Sequence, residues 1–116
     1  MTPDVKLLCQ QLADAWNSHD IDRILAHYSE DFVLVSPMVK ERMGVPDGTL
    51  RGKAEVRKWW EPGLKKFTDL RMEYIDVLQG VDSFIFVQHL SLMDSDSASH
   101  FWLDEDGLIK REEFFY

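Results

Sequence analysis

Val5, Leu8, Leu12 and Trp16 recur at i, i+3, i+7 and i+11, the spacing that keeps apolar side chains on one face of an α-helix. Thr2 is the expected N-cap of that helix, and Pro3 suits its first position because no useful donor is lost there. Asn17-Ser18-His19-Asp20 interrupts the pattern, and Asp20 is placed to cap a second, short helix with Ile21, Ile24, Leu25 and Tyr28 on one face. Phe32-Val33-Leu34-Val35 reads as a short strand that Pro37 terminates. Residues 38–52 are polar and turn-rich, with the character of a mobile loop covering a site. A third helix is expected from Lys53, with Val56, Trp59, Trp60, Leu64 and Phe67 inward and a kink or break at Pro62-Gly63.

After Leu70 the period changes to two. Leu70, Met72 and Tyr74 alternate with polar neighbours, and Phe84, Phe86, Gln88, Leu90 and Leu92 alternate with Ile85, Val87, His89, Ser91 and Met93. Two turns, Asp94-Ser95-Asp96-Ser97 and Asp104-Glu105-Asp106-Gly107, separate strands at Ser99–Leu103 and Leu108–Tyr116. The expected order is α-α-β-α-β-β-β-β, an α+β fold with helices on one face of an antiparallel sheet, in one domain spanning 1–116.

Composition narrows the function. A 116-residue chain that is 45% hydrophobic can build a core without staples, since folding hides roughly two-thirds of its surface. A net charge of -8 argues against nucleic acid and anionic membrane as partners. Cys9 is alone, which excludes an internal disulfide and a thiolate zinc cage. No apolar run reaches the ~20 residues of a spanning helix, and the opening residues do not read as a signal peptide, so a cytoplasmic location is expected. No His pair has metal-ligand spacing and no cofactor fingerprint is present, so neither metal nor cofactor is expected.

Four short motifs occur in a telling order: Trp16-Asn17-x-x-Asp20, Tyr28-x-Glu30-Asp31-Phe32 leading to Pro37, Gly52-Lys53-Ala54-Glu55-Val56-Arg57-x-Trp59-Trp60, and Asp106-Gly107-Leu108-Ile109-x-Arg111. Together they resemble the nuclear transport factor two-like superfamily, in its SnoaL-like and ketosteroid-isomerase-like branches. The resemblance implies a strongly curved sheet wrapped around the helices as a cone with a deep, largely apolar pocket. It does not choose a chemistry, because the same shape serves isomerases, dehydratases, hydrolases, cyclases and binding modules.

Carried over by position, the isomerase's general base falls on Ser36, its oxyanion tyrosine on Leu12 and its second oxyanion donor on Ser99. The polyketide cyclases' acidic residue falls on Phe114. Neither inherited catalytic set is present. The same matching implies that Trp16, Tyr28, Trp59, Trp60, Phe86, Phe101, Leu103, Phe114 and Tyr116 line or floor the cavity, with Gln88, Glu112, Lys110, Ser36 and Ser99 as its polar groups.

Glu112 is the leading catalytic candidate, because a carboxyl in an apolar cavity resists ionisation; a salt bridge to Lys110 or another cation at the cone mouth is the structural alternative. His100 is the second candidate, and it faces the pocket only if the strand at 99–103 slips by one residue and turns Phe101 outward. His89 is expected on the outer face, and His19 and His27 as exposed helix residues. Nine of the 13 basic residues lie between Lys40 and Arg71, either as a solvated face or as attraction for an anionic ligand. Ile85, Val87 and Met93 put an apolar strip on the outer face, which predicts a homodimer. Three functions stay in play: a pocket for a small apolar ligand, an isomerase, dehydratase or hydrolase using Glu112 and a His, and an interaction module.

Overall fold

A computed structural model describes residues 4–116. Helix α1, Val5–Ser18, starts at Asp4, whose carboxylate accepts from the Leu7 N–H at 3.0 Å. Thr2 and Pro3, expected to cap and open it, lie outside the described residues. The helix ends at His19, which adopts the left-handed conformation with φ 59°. His19 is therefore no exposed helix residue: its ring nitrogens lie 2.7 Å from the Leu70 carbonyl and 3.4 Å from that of Leu64. Asp20 caps α2, Ile21–Leu25, accepting from the N–H groups of Asp22 and Arg23. His27 lies in the turn that follows, and Tyr28 opens β1, Tyr28–Val35, instead of extending α2. The Ile109 N–H donates to the His27 carbonyl at 2.9 Å, which draws the chain into the sheet at that point.

The segment expected to be a loop holds two elements. The Ser36 hydroxyl accepts from the Met38 N–H at 3.2 Å and caps α3, Pro37–Met43, which ends at Gly44 with φ 69°. Proline at the first helical position and a left-handed glycine after the last are helix signals, and here they outweighed the polar composition. Strand β2, Thr49–Arg51, follows. Helix α4, Gly52–Lys66, passes through Pro62 without the expected break. Proline removes one helical hydrogen bond, but the Phe67 N–H still donates to Gly63 at 2.9 Å and closes the last turn.

Strands β3, Met72–Gln79, β4, Ser83–Leu90, β5, Ser97–Leu103, and β6, Ile109–Phe115, complete a curled, unclosed six-stranded sheet in the order β2-β1-β6-β5-β4-β3. Strand β1 runs parallel to β6, so the sheet is mixed rather than wholly antiparallel. Alternation specifies which face a residue takes, and it carries no information on which strand lies alongside. Helix α1 packs on β3 and α4 on β1.

The register decides the faces. Phe86 pairs with Ser99 and Phe101 with Glu112, and all four are buried against the helices. His100 pairs with Ile85 on the outer face, where its Nε2 lies 2.9 Å from the Ser83 hydroxyl and its ring stacks on Trp102 at 3.7 Å. His100 is thus removed from the pocket, and His89 also lies outside, 3.1 Å from Asp96. A bulge in β6 corrects a third expectation. Trp102 pairs with Arg111 but Leu103 with Ile109, which leaves Lys110 as the extra residue, exposed and out of the cone.

Candidate functional site

Between α1, α4 and the inner face of the sheet lies a cavity of about 380 Å³. The size falls within the range of small-molecule sites. Trp16, Trp59 and Trp60 reach it from the helices, Tyr28 and Ser36 from β1 and its end, and Phe86, Gln88, Ser99, Phe101, Glu112 and Phe114 from β4, β5 and β6. Trp16 and Trp60 meet edge to face with centroids 4.9 Å apart, and Trp60 meets Tyr28 at 5.4 Å. Of the expected lining residues, Leu103 packs against the core outside the cavity. Tyr116 is exposed, its hydroxyl donating to Glu41 at 3.1 Å.

A polar cluster sits within this apolar wall. The Tyr28 hydroxyl donates to Oε1 of Glu112 at 2.7 Å, and the Ser99 hydroxyl donates to Oε2 at 3.0 Å. Ser99 in turn accepts from Nε2 of Gln88 at 3.3 Å. Burial raises the Glu112 carboxyl to about 7, against the two hydrogen bonds that favour its charged form. Burial, and then the adjacent carboxylate, push the Tyr28 hydroxyl well above its ordinary value. Among the described residues no cation pairs with Glu112, so the salt bridge with Lys110 does not form. Gln88 is 2% exposed, and its carbonyl oxygen has no partner. A buried acceptor of that kind is unusual and costly unless something donates to it.

Two features escaped the sequence. Met38 and Arg42 line the cavity because α3 exists, and the Ser36-Pro37 and Gly44 punctuation was the signal that could have revealed it. The Tyr28–Glu112 bond joins residues 84 positions apart, across strands whose adjacency no local pattern records.

The cone of helices and curled sheet, with its pocket floor on β4 to β6, defines the nuclear transport factor two-like class. The family model for the SnoaL-like domain matches residues 9–112, and the chain belongs to that family. A SnoaL-like protein of unknown function from Burkholderia thailandensis is 33% identical with a TM-score of 0.92, over 96% of this chain and 92% of that one. The structure of TerC co-crystallised with polyporic acid shares the fold at 15% identity and a TM-score of 0.76, over 99% and 92% of the two chains. An NTF2-like protein of unknown function from Cytophaga hutchinsonii does so at 12% identity and a TM-score of 0.68, over 99% and 91%. No curated protein matches the sequence.

Proposed function

We propose that the cone binds a small, largely apolar organic molecule that hydrogen-bonds to Gln88 and Glu112. The observation that carries this reading is the unpartnered carbonyl of Gln88 in the wall of a roomy aromatic cavity. A ligand donor would satisfy it, and the tryptophans would cover the apolar body. The co-crystallisation of TerC with polyporic acid supports the reading, since that protein shares the fold. The neutral fluorophore N-phenyl-1-naphthylamine should bind one molecule per chain. It should fail to bind when Leu12→Trp fills the cavity of a protein still folded by circular dichroism. A folded wild type that takes up none of it up to its solubility limit rejects the proposal.

A second reading, acid–base catalysis, is favoured by Glu112. A buried carboxyl raised to about 7 can lend or accept a proton near neutrality. Tyr28 and Ser99 would orient it, and Ser36, Leu12 and Phe114 supply none of the inherited chemistry. A substrate turned over with a pH profile that Glu112→Gln abolishes would convert the binding protein into an enzyme.

Self-association belongs to the same proposal. Leu78, Ile85 and Val87 share the outer face with Ala98 and Phe115, and Leu78 and Phe115 are 59% and 48% exposed. A contiguous apolar strip of this kind is covered in most soluble proteins. Light scattering should give twice 13.6 kDa at micromolar concentration, and a monomer there rejects the dimer. A cytoplasmic location belongs to the proposal as well. Cys9 is buried, and burial pushes its thiol up to about 12, which disfavours the reactive thiolate.

A further inference from the structure

We propose that the occupant of the cone is an apolar carboxylate that enters hydroxyl-first, its acid held at the rim by Arg42, Lys58 and Lys66 and its hydroxyl donating to Gln88. This rests on the binding reading and names the ligand class for the same site.

The charge around the cavity runs against the charge of the chain. The protein carries a net -8, yet the charged residues lining the cavity are these three cations and one acid, Glu112. The cations are exposed and come from two elements, Arg42 from α3 and Lys58 and Lys66 from α4, so helical repetition alone does not produce the cluster. Among the described residues none of the three is in an ion pair. Glu41, next to Arg42, is engaged instead by the Tyr116 hydroxyl at 3.1 Å. Cations lining a low-dielectric cleft focus the field on a ligand anion.

The inner end has the opposite demand. Glu112 is 7% exposed and already accepts from Tyr28 and Ser99, so an anion beside it would lie desolvated with no cation to pair with, and against a like charge whenever Glu112 is ionised. The Gln88 carbonyl needs a donor. A rim that attracts an anion and an inner wall that repels one and wants a donor orient an amphipathic ligand one way only. Trp16, Trp60, Phe86 and Phe101 cover what lies between.

The probe is 6-hydroxy-2-naphthoate, compared by calorimetry with its methyl ester and with 2-naphthoate. The acid should bind about tenfold more tightly than the ester at low salt, since exposed ion pairs contribute up to about fivefold each. That preference should shrink in about 0.5 M NaCl. The hydroxyl should add roughly threefold to tenfold over 2-naphthoate. The combined variant Arg42→Gln, Lys58→Gln, Lys66→Gln, altered only at exposed positions, should lose the preference for the acid and bind acid and ester with equal affinity. Gln88→Leu should erase the hydroxyl preference alone, and the wild-type comparison of the two acids tests the same point if that variant does not fold. Equal binding of acid and ester by the wild type overturns this inference and leaves the binding reading standing. Failure of all three probes to bind a folded protein that takes up N-phenyl-1-naphthylamine also overturns this inference and leaves the binding reading standing, whereas failure of that fluorophore as well removes both.

Discussion

Replacing Glu112 by glutamine isolates the one buried acid of the cavity. Burial raises its carboxyl from the ordinary 4.5 to about 7, so between those pH values the folded chain holds a proton that the unfolded chain releases. Stability therefore carries its full Glu112 contribution at and below about pH 4.5, falls as pH rises, and levels off above about 7. One pH unit corresponds to about 1.4 kcal/mol, so the whole window is worth roughly 3 kcal/mol. The amide of Glu112→Gln cannot ionise. Its oxygen still accepts from the Tyr28 hydroxyl and its NH₂ faces the Ser99 oxygen, which can accept. The Ser99 proton is then released from the carboxyl, and a flip of the Gln88 amide, which now turns its Nε2 to Ser99, would let the Gln88 carbonyl accept it. The variant should match the wild type at pH 5 within about 1 kcal/mol. At pH 8.5 it should be more stable by roughly 3 kcal/mol, or about 10 °C in Tm for a chain of this size. Urea denaturation of both proteins from pH 5 to 8.5 measures the difference, and groups that titrate equally in both cancel from it. A difference that stays constant across that range would refute the claim that Glu112 is desolvated without a cation.

Tyr28→Phe removes a donor to the same carboxyl; it should raise the Glu112 pKa further and cost about 2 kcal/mol at pH 8.5 but about 1 at pH 5, measured by the same denaturation series. Gly48→Ala should destabilise by about 2 kcal/mol or more, because φ is +65° and a Cβ would lie 2.7 Å from the Ser36 carbonyl oxygen. Displacing Ser36 disturbs the cap of α3, so probe affinity should fall together with Tm. His19→Ala removes the ring held against Leu64 and Leu70 and should cost about 1–3 kcal/mol by thermal melting, with the cavity's affinity little changed. Ketosteroid isomerase activity should be negligible, because the resemblance puts Ser36 and Leu12 where the isomerase has its base and oxyanion donor, and neither can serve; turnover of a 5-ene steroid at isomerase rates contradicts that positional match.

Short-range rules wrote much of this protein into its sequence. The helical face of Val5, Leu8 and Leu12, the Asp20 cap, the alternation of Phe84, Phe86 and Gln88, and the Gly107 turn each depend on residues a few positions apart. The order of motifs extended that reading to the cone and to Glu112 as an inward carboxyl. What local pattern did not contain was adjacency. The parallel pairing of β1 with β6, the bulge that turns Lys110 out, and the Tyr28 hydroxyl on Glu112 all arise where distant strands meet. Alternation has a period of two on any strand, so it assigns faces and leaves partners, bulges and bond lengths to the packed sheet. The ionisation of Glu112 was decided there as well. A carboxyl's pKa follows from how much water is excluded and which donors replace it, and only the closed cone determines both.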